Sequence, residues 1–382
     1  MATVAATGES LSLGRRLALL SWPLVVLLCI LAGIGVAMLY SAGGGSWEPW
    51  AVRHVMRFGV ALALMLAVAL VDLRFWLRYA YAVYFASVAL LVAVEVAGAT
   101  GMGAQRWIDL GVVRLQPSEL MKIALILGLA RYFHGLSMED IGRPGRLVVP
   151  LLMILAPAFL VLRQPDLGTA AMLAVGGAAI FFVVGVRLWK FGLVAVLGFA
   201  AMPVVWNVLR PYQQQRILTF FDPESDPLGA GYHILQAKIA LGSGGVFGKG
   251  FMQGSQAHLD FLPERQTDFI FTMLAEEFGL IGGLSVLGLF VLLFAYGVAI
   301  AIRIRNQFGR VVAMGVTVTV ALYVSINIAM VMGLVPVVGA PLPLISYGGT
   351  AILSVMIGYG LLLSASIDRD AMIGRSGAPE DG

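Results

Sequence analysis

Ten long apolar runs, separated by short polar stretches, dominate this chain. They fall at about 19–41, 55–71, 75–98, 118–134, 147–163, 168–186, 190–208, 270–302, 310–333 and 345–366. Each approaches the ~20 residues with which an α-helix crosses a bilayer. No run alternates with the period of two that marks a barrel strand, and lipid does not tolerate unpaired backbone groups. The pattern predicts an all-α polytopic integral membrane protein of about ten transmembrane helices. Residues 1–18 form a cytoplasmic N-terminal segment, 19–367 one transmembrane domain and 368–382 a polar, disordered cytoplasmic tail. The longest polar interruption, 209–269, makes a large extracytoplasmic loop between helices 7 and 8.

Composition agrees. Sixty per cent of the 382 residues are hydrophobic and 12% are charged, which excludes an ordinary soluble domain. The net charge is +4, and its distribution matters more than its sum. With the N-terminus inside, the short inner segments carry fourteen Lys and Arg against six in the outer ones. Both termini are therefore expected in the cytoplasm. Arg15 and Arg16 precede a run too long for a signal peptide, so it reads as an uncleaved anchor. Cys29 is the one cysteine and forms no intrachain disulfide. No nucleic-acid partner is expected.

The remaining charges gather at the outer ends of the helices. The loop "GAQRWIDLGVVRLQPSELMKIAL" leads into the fourth helix, with Pro117 suited to its first turn. Glu119 and Lys122 lie three apart on one face, and Ser118 and Lys122 four apart on an overlapping one. Such residues inside a membrane helix face a cavity or each other. The choice is between an anchoring ion pair and a polar wall for an anionic, lipid-linked substrate. Trp107 suits an interfacial aromatic belt, or, after Gln105 and Arg106, a sugar platform.

In the large loop, "RILTFFDPESDP" and "YHILQAKIAL" read as interfacial helices. "GSGGVFGKG" fails the Walker pattern and reads as a turn allowing close backbone approach, with Lys249 either solvated or on a phosphate. His233 and His258 have no metal-ligand spacing around them, and no protein metal site is expected. In "FLPERQTDFIFTMLAEEFG", Asp268 stands where the eighth helix begins. A helix cap accounts for it alone. It does not account for Glu276 and Glu277, which require either a helix starting outside the bilayer or a wet cavity. The last outer loop, "GLVPVVGAPLPLISYGGTA", carries three prolines before Ser346.

Together, "GAQRWIDLGVVRLQPSELMKI", "QPDLGTA", "GKGFMQGSQAHLDFLPERQTDFIF", "AEEFGLIGG" and "PLPLISYGGTA" resemble the SEDS family (shape, elongation, division and sporulation). Within it they are closer to the RodA type than to the FtsW type. The likeness covers nearly the whole chain. It implies an inner-membrane peptidoglycan glycosyltransferase with its active site on the extracytoplasmic side. The implied substrate is lipid II, a disaccharide pentapeptide on undecaprenyl pyrophosphate. The implied partners are a class B penicillin-binding protein, other elongation-complex membrane proteins and membrane lipid. The family's essential acid falls on Asp268. Its other functional positions fall on Trp107, Arg114, Gln116, Ser118, Glu119 and Lys122, and on one of Arg53 and Arg57. Lys249 and Ser346 complete the candidate substrate contacts.

The chemistry follows. An acceptor hydroxyl attacks the donor's anomeric carbon, and a positioned base such as Asp268 accelerates this by about 10²–10⁴-fold. Lys122, Arg114, Arg53 or Arg57, or a bound divalent cation (Mg or Mn) would stabilise the leaving pyrophosphate. A lipid II flippase, a secondary transporter and a non-catalytic scaffold are the competing classes. The polar groups concentrate on one side of the membrane, which disfavours the flippase.

Overall fold

The computed structural model describes residues 12–101, 104–109, 114–209, 211–222, 230–258 and 264–374. In chain order the long helices are α2 (Trp22–Ala42), α3 (Ala51–Leu70), α4 (Leu73–Ala97), α5 (Pro117–His134), α7 (Pro144–Arg163), α8 (Leu167–Val184), α9 (Leu188–Val208), α13 (Ile270–Arg303), α14 (Gln307–Val331) and α15 (Gly349–Ile367). Shorter helices are α1 (Leu13–Leu19), α6 (Met138–Ile141), α10 (Pro211–Phe221), α11 (Ala230–Ser243) and α12 (Ser255–His258). Every apolar run is thus a helix. Eight of them, among the described residues, are long and apolar enough to cross a membrane. The other two, α5 and α9, are 18 and 21 residues long.

Sequence signals set the helix ends. Asp72 caps α4 by accepting the Arg74 N–H at 2.8 Å, Asp166 caps α8 through Thr169 N–H at 3.1 Å, and Asn306 caps α14 through Gly309 N–H at 2.7 Å. Proline opens α5 and α7, where its missing N–H has no helical partner to lose. The centre of the bundle is α5, α14 and α15, buried on most of their faces. Helix α9 is apolar but exposes Leu193, Phe199 and Met202, as a lipid-facing helix does.

Two features depart from a plain bundle. The loop between α4 and α5 holds three short strands, β1 (Ala99–Gly101), β2 (Ala104–Asp109) and β3 (Arg114–Leu115), in an antiparallel meander. These short strands pair here because the loop must satisfy its own backbone groups. The tail, expected to be disordered from 368, is anchored at its start. Asp368 accepts from Leu73 N–H at 2.9 Å and pairs with buried Arg16 at 3.1 Å. Arg16 reaches Asp72 at the same distance. This ties α1, the α3–α4 connection and the end of α15 together. Residues 1–11 and 375–382 lie outside the described residues.

Candidate active site

The ends of α4, α7, α13 and α14 that adjoin the meander, the α10–α12 segment and the 332–348 connection form one end of the bundle. Candidate side chains are delivered there by four elements.

Helix α5 supplies the first group. Ser118, Glu119 and Lys122 are all buried. Lys122 Nζ donates to Glu119 Oε1 at 2.7 Å and also contacts the Tyr323 hydroxyl of α14. That hydroxyl donates to Glu119 Oε2 at 2.5 Å, and Ser354 of α15 donates to the same oxygen at 3.1 Å. The pair expected at i, i+3 forms, with a phenol and a hydroxyl closing it. An ammonium and a carboxylate in a helix core each carry a desolvation penalty of several kcal/mol, offset only when both are fully bonded. Here the carboxylate has three donors, and the ammonium has two acceptors and the face of the Tyr323 ring. Sequence reading missed Tyr323 and Ser354, since a lone Tyr and a lone Ser in apolar helices carry no pattern.

The second group surrounds Asp268. Helix α13 begins at Ile270 with Phe269 as its N-cap and no side-chain capping bond. Asp268 therefore precedes the cap, and the capping account of this acid does not hold. Asn327 of α14 donates from one amide nitrogen to the Asp268 backbone carbonyl at 2.9 Å and the Ala340 carbonyl at 2.7 Å. A Cβ placed on Gly339 would stand 3.6 Å from Asp268 Oδ2, and Gly339 has φ +72°. A side chain is disfavoured there by backbone conformation, so the main chain itself comes up beside the carboxylate. Asn327 is four residues after Tyr323, about 6 Å further along the axis. Helix α14 thus joins the Glu119–Lys122 group to the Asp268 segment through two side chains one turn apart.

The 341–347 connection is the third element. Ser346 Oγ accepts Leu342 N–H at 2.8 Å and donates to Thr267 carbonyl at 2.6 Å, while Tyr347 N–H donates to Gln266 carbonyl at 2.8 Å. The Arg57 guanidinium of α3 stacks on the Tyr347 ring at 4.5 Å. Of the two competing arginines, Arg57 faces this site and Arg53 is exposed on α3. Between the two groups lies a narrow cavity lined by Tyr323, Pro341, Leu344, Ser346, Ala351 and Ile352.

Glycines and Lys249 form the fourth element. Helix α13 is broken at Gly279 (φ 67°, ψ −163°). The glycine-rich turn 244–250 clasps the break: Lys249 and Gly250 N–H donate to the Glu276 and Glu277 carbonyls at 3.0 and 2.9 Å, and Leu280 and Ile281 N–H donate to Gly245 and Val246 at 2.9 and 3.2 Å. A Cβ on Gly248 would meet the Glu277 carbonyl oxygen at 2.1 Å. The close backbone approach read from "GSGGVFGKG" is met by the chain's own helix. Lys249 Nζ bonds fully buried Glu276 at 2.6 Å, a carboxylate that also accepts from Ser255 Oγ and Gln256 N–H. Glu277 accepts from Ser41 of α2 at 2.5 Å. The two acids are thus lodged in protein.

The remaining candidates lie apart. Arg114 is exposed on β3 and pairs with Asp109 at 3.5 Å. Trp107 is half-buried on β2, and Gln116 is the α5 N-cap without a side-chain bond. Arg106, beside Trp107, donates to the Gln164 carbonyl at 3.1 Å and to the Pro165 carbonyl, fastening the meander to the start of α8.

A family model described as "Cell cycle protein", FTSW_RODA_SPOVE, matches residues 16–371. The peptidoglycan glycosyltransferase MrdB of Escherichia coli is 44% identical over 352 residues, covering 91% of this chain and 93% of its own. Stage V sporulation protein E of Bacillus subtilis is 37% identical over 358 residues, covering 90% and 96%. Among solved structures, a chain from a peptidoglycan synthase complex that coordinates polymerization and crosslinking superposes with a TM-score of 0.77 at 34% identity, covering 92% of this chain and 98% of that one. The rod shape determining protein RodA of Thermus thermophilus superposes with a TM-score of 0.67 at 30% identity, covering 92% and 97%.

Proposed function

The chain belongs to the FtsW, RodA and SpoVE family of cell cycle proteins, and from that premise we propose that it is a peptidoglycan glycosyltransferase whose reacting acid is Asp268. It polymerises lipid II into glycan strands and works beside a class B penicillin-binding protein that crosslinks them. The reaction lies at the extracytoplasmic end of the bundle, with both termini in the cytoplasm.

The observation that carries the reading is the placement of Asp268. It precedes the α13 cap, its backbone is fixed by Asn327 and Ser346 stands one bond away on Thr267. A base held this way takes the proton from the acceptor hydroxyl as that oxygen attacks the anomeric carbon. The bond from that carbon to the pyrophosphate oxygen breaks, and inversion at the carbon follows from direct displacement. Arg57 is the arginine best placed to meet the departing negative charge, since it sits on Tyr347 beside the same loop. Lys122 is held by Glu119 and Tyr323, and the Glu119 carboxylate compensates its charge.

A divalent cation was the one cofactor the chemistry invited. Glu119 does not suit one: both its oxygens accept from an ammonium or hydroxyls. No step is assigned to a cation.

The test is glycan polymerisation from purified lipid II by the full chain with its cognate penicillin-binding protein. Asp268→Asn is expected to lower the rate by at least about 10²-fold while insertion and partner binding persist. Wild-type activity in that variant rejects Asp268 as the base, whereas no polymerisation by the wild-type chain returns the flippase or scaffold classes.

A further inference from the structure

His54 is a fully buried imidazole that no step above uses. It lies on α3, one turn before Arg57. Its Nε2 is 3.0 Å from the Leu344 carbonyl oxygen. A carbonyl only accepts, so Nε2 carries the proton. Its Nδ1 is buried with no hydrogen-bond partner among the described residues. An apolar side chain would fill the same volume without leaving a buried nitrogen unbonded. The residue is therefore explained by its donor, not by its bulk.

The acceptor is unusual too. Leu344 has φ +66°, a left-handed backbone that residues with a β-carbon rarely adopt and that persists only where its surroundings impose it. Two residues later Ser346 bonds the Thr267 carbonyl, and Tyr347 N–H bonds the Gln266 carbonyl. These are the two peptide units before Asp268. Helix α3 grips the loop twice, through His54 on Leu344 and Arg57 on Tyr347. The loop in turn grips the segment that carries the acid.

We infer that His54 is a positioning residue for the Asp268 carboxylate, acting through the Leu344 carbonyl and the 341–347 loop. This rests on the reading of Asp268 as the reacting base. His54 touches neither substrate nor reacting atoms. Its donor holds one strained carbonyl, and the loop carries that constraint to the acid. Only Nε2–H is needed, so a Gln side chain, whose amide nitrogen sits at the corresponding position, replaces it. Met, of similar reach and without a donor, does not.

The experiment compares wild type, His54→Met, His54→Gln and Asp268→Asn in the lipid II polymerisation assay with the penicillin-binding partner. His54→Met is expected to lose about tenfold or more in kcat with KM within about twofold, the signature of an interaction made in the transition state. His54→Gln is expected within about threefold of wild type in kcat, since it restores the donor. Wild-type kcat in His54→Met, a loss confined to KM, or equal losses in the Met and Gln variants each overturn the inference. So does failure of His54→Met to accumulate in the membrane, because the imidazole then serves the fold and not the site. If Asp268→Asn polymerises like wild type, the reading of the site falls and this inference with it. If Asp268→Asn is inactive while His54→Met is normal, the inference about His54 alone falls.

Discussion

Two buried Glu–Lys pairs stand a short way apart in this protein, and they are built differently. Glu119 and Lys122 lie one turn apart on α5, at 2.7 Å, with 6% and 4% of their side chains exposed. Glu276 and Lys249 come from a helix and a loop 27 residues apart, at 2.6 Å, with 0% and 27% exposed. In the first pair both charges are sealed among three helices, and Tyr323 and Ser354 complete their bonding. In the second only the carboxylate is sealed, and backbone and hydroxyl groups share it with the lysine. The first arrangement locks three helices together through a sealed, charge-compensated network. The second holds a chain break closed.

That contrast sets the order of expected effects. The largest falls on the clasp itself. Gly248→Ala places a methyl at a positive φ and 2.1 Å from a backbone oxygen, and is expected to destabilise by about 4 kcal/mol or more. Loss of the monodisperse species on size exclusion in detergent is the readout. Next comes Lys122→Met, which strands the Glu119 carboxylate and is expected to lower stability by about 3–5 kcal/mol. Thermal unfolding checks it. Glu119→Gln with Lys122→Met is expected to recover much of that loss, since it removes the stranded charge. Lys249→Met is smaller, about 1.5–3 kcal/mol, because this lysine is partly exposed and water takes its place beside Glu276. A Lys249 variant as damaging as the Lys122 variant breaks the comparison. Arg114→Ala, on an exposed pair, is expected to change stability by about 0–1 kcal/mol. Any loss of polymerisation it shows would then belong to the substrate.

What could be read from the residues alone follows the same division. The ten helices were legible because each is announced by an unbroken apolar run, and the α5 pair because three residues are one helical turn. The break at Gly279 was not: Glu276 and Glu277 signalled an exceptional stretch in "AEEFGLIGG", but not that the helix is interrupted after them. Its partner strand of backbone is thirty residues upstream, a pairing no local period records. The meander escaped for a like reason: short strands depend on each other and not on propensity. Asp268 was singled out from its place before an apolar run, yet Asn327, Gly339 and His54, which define its surroundings, come from elements distant in sequence. Their roles appear only when α3, α14 and the 341–347 loop are brought together.

The interruption of α13 also divides labour along one rod. From Leu280 to Arg303 about 24 residues rise about 36 Å, enough by themselves to bridge the hydrocarbon slab. The stub above them, Ile270–Phe278, is relieved of that duty. Its acidic residues are anchored by neighbouring protein, so they need not be carried through oil. A single segment of the chain thereby provides both a membrane stake and, set off at one glycine and clasped by the 244–250 turn, a bracket on which Asp268 is hung.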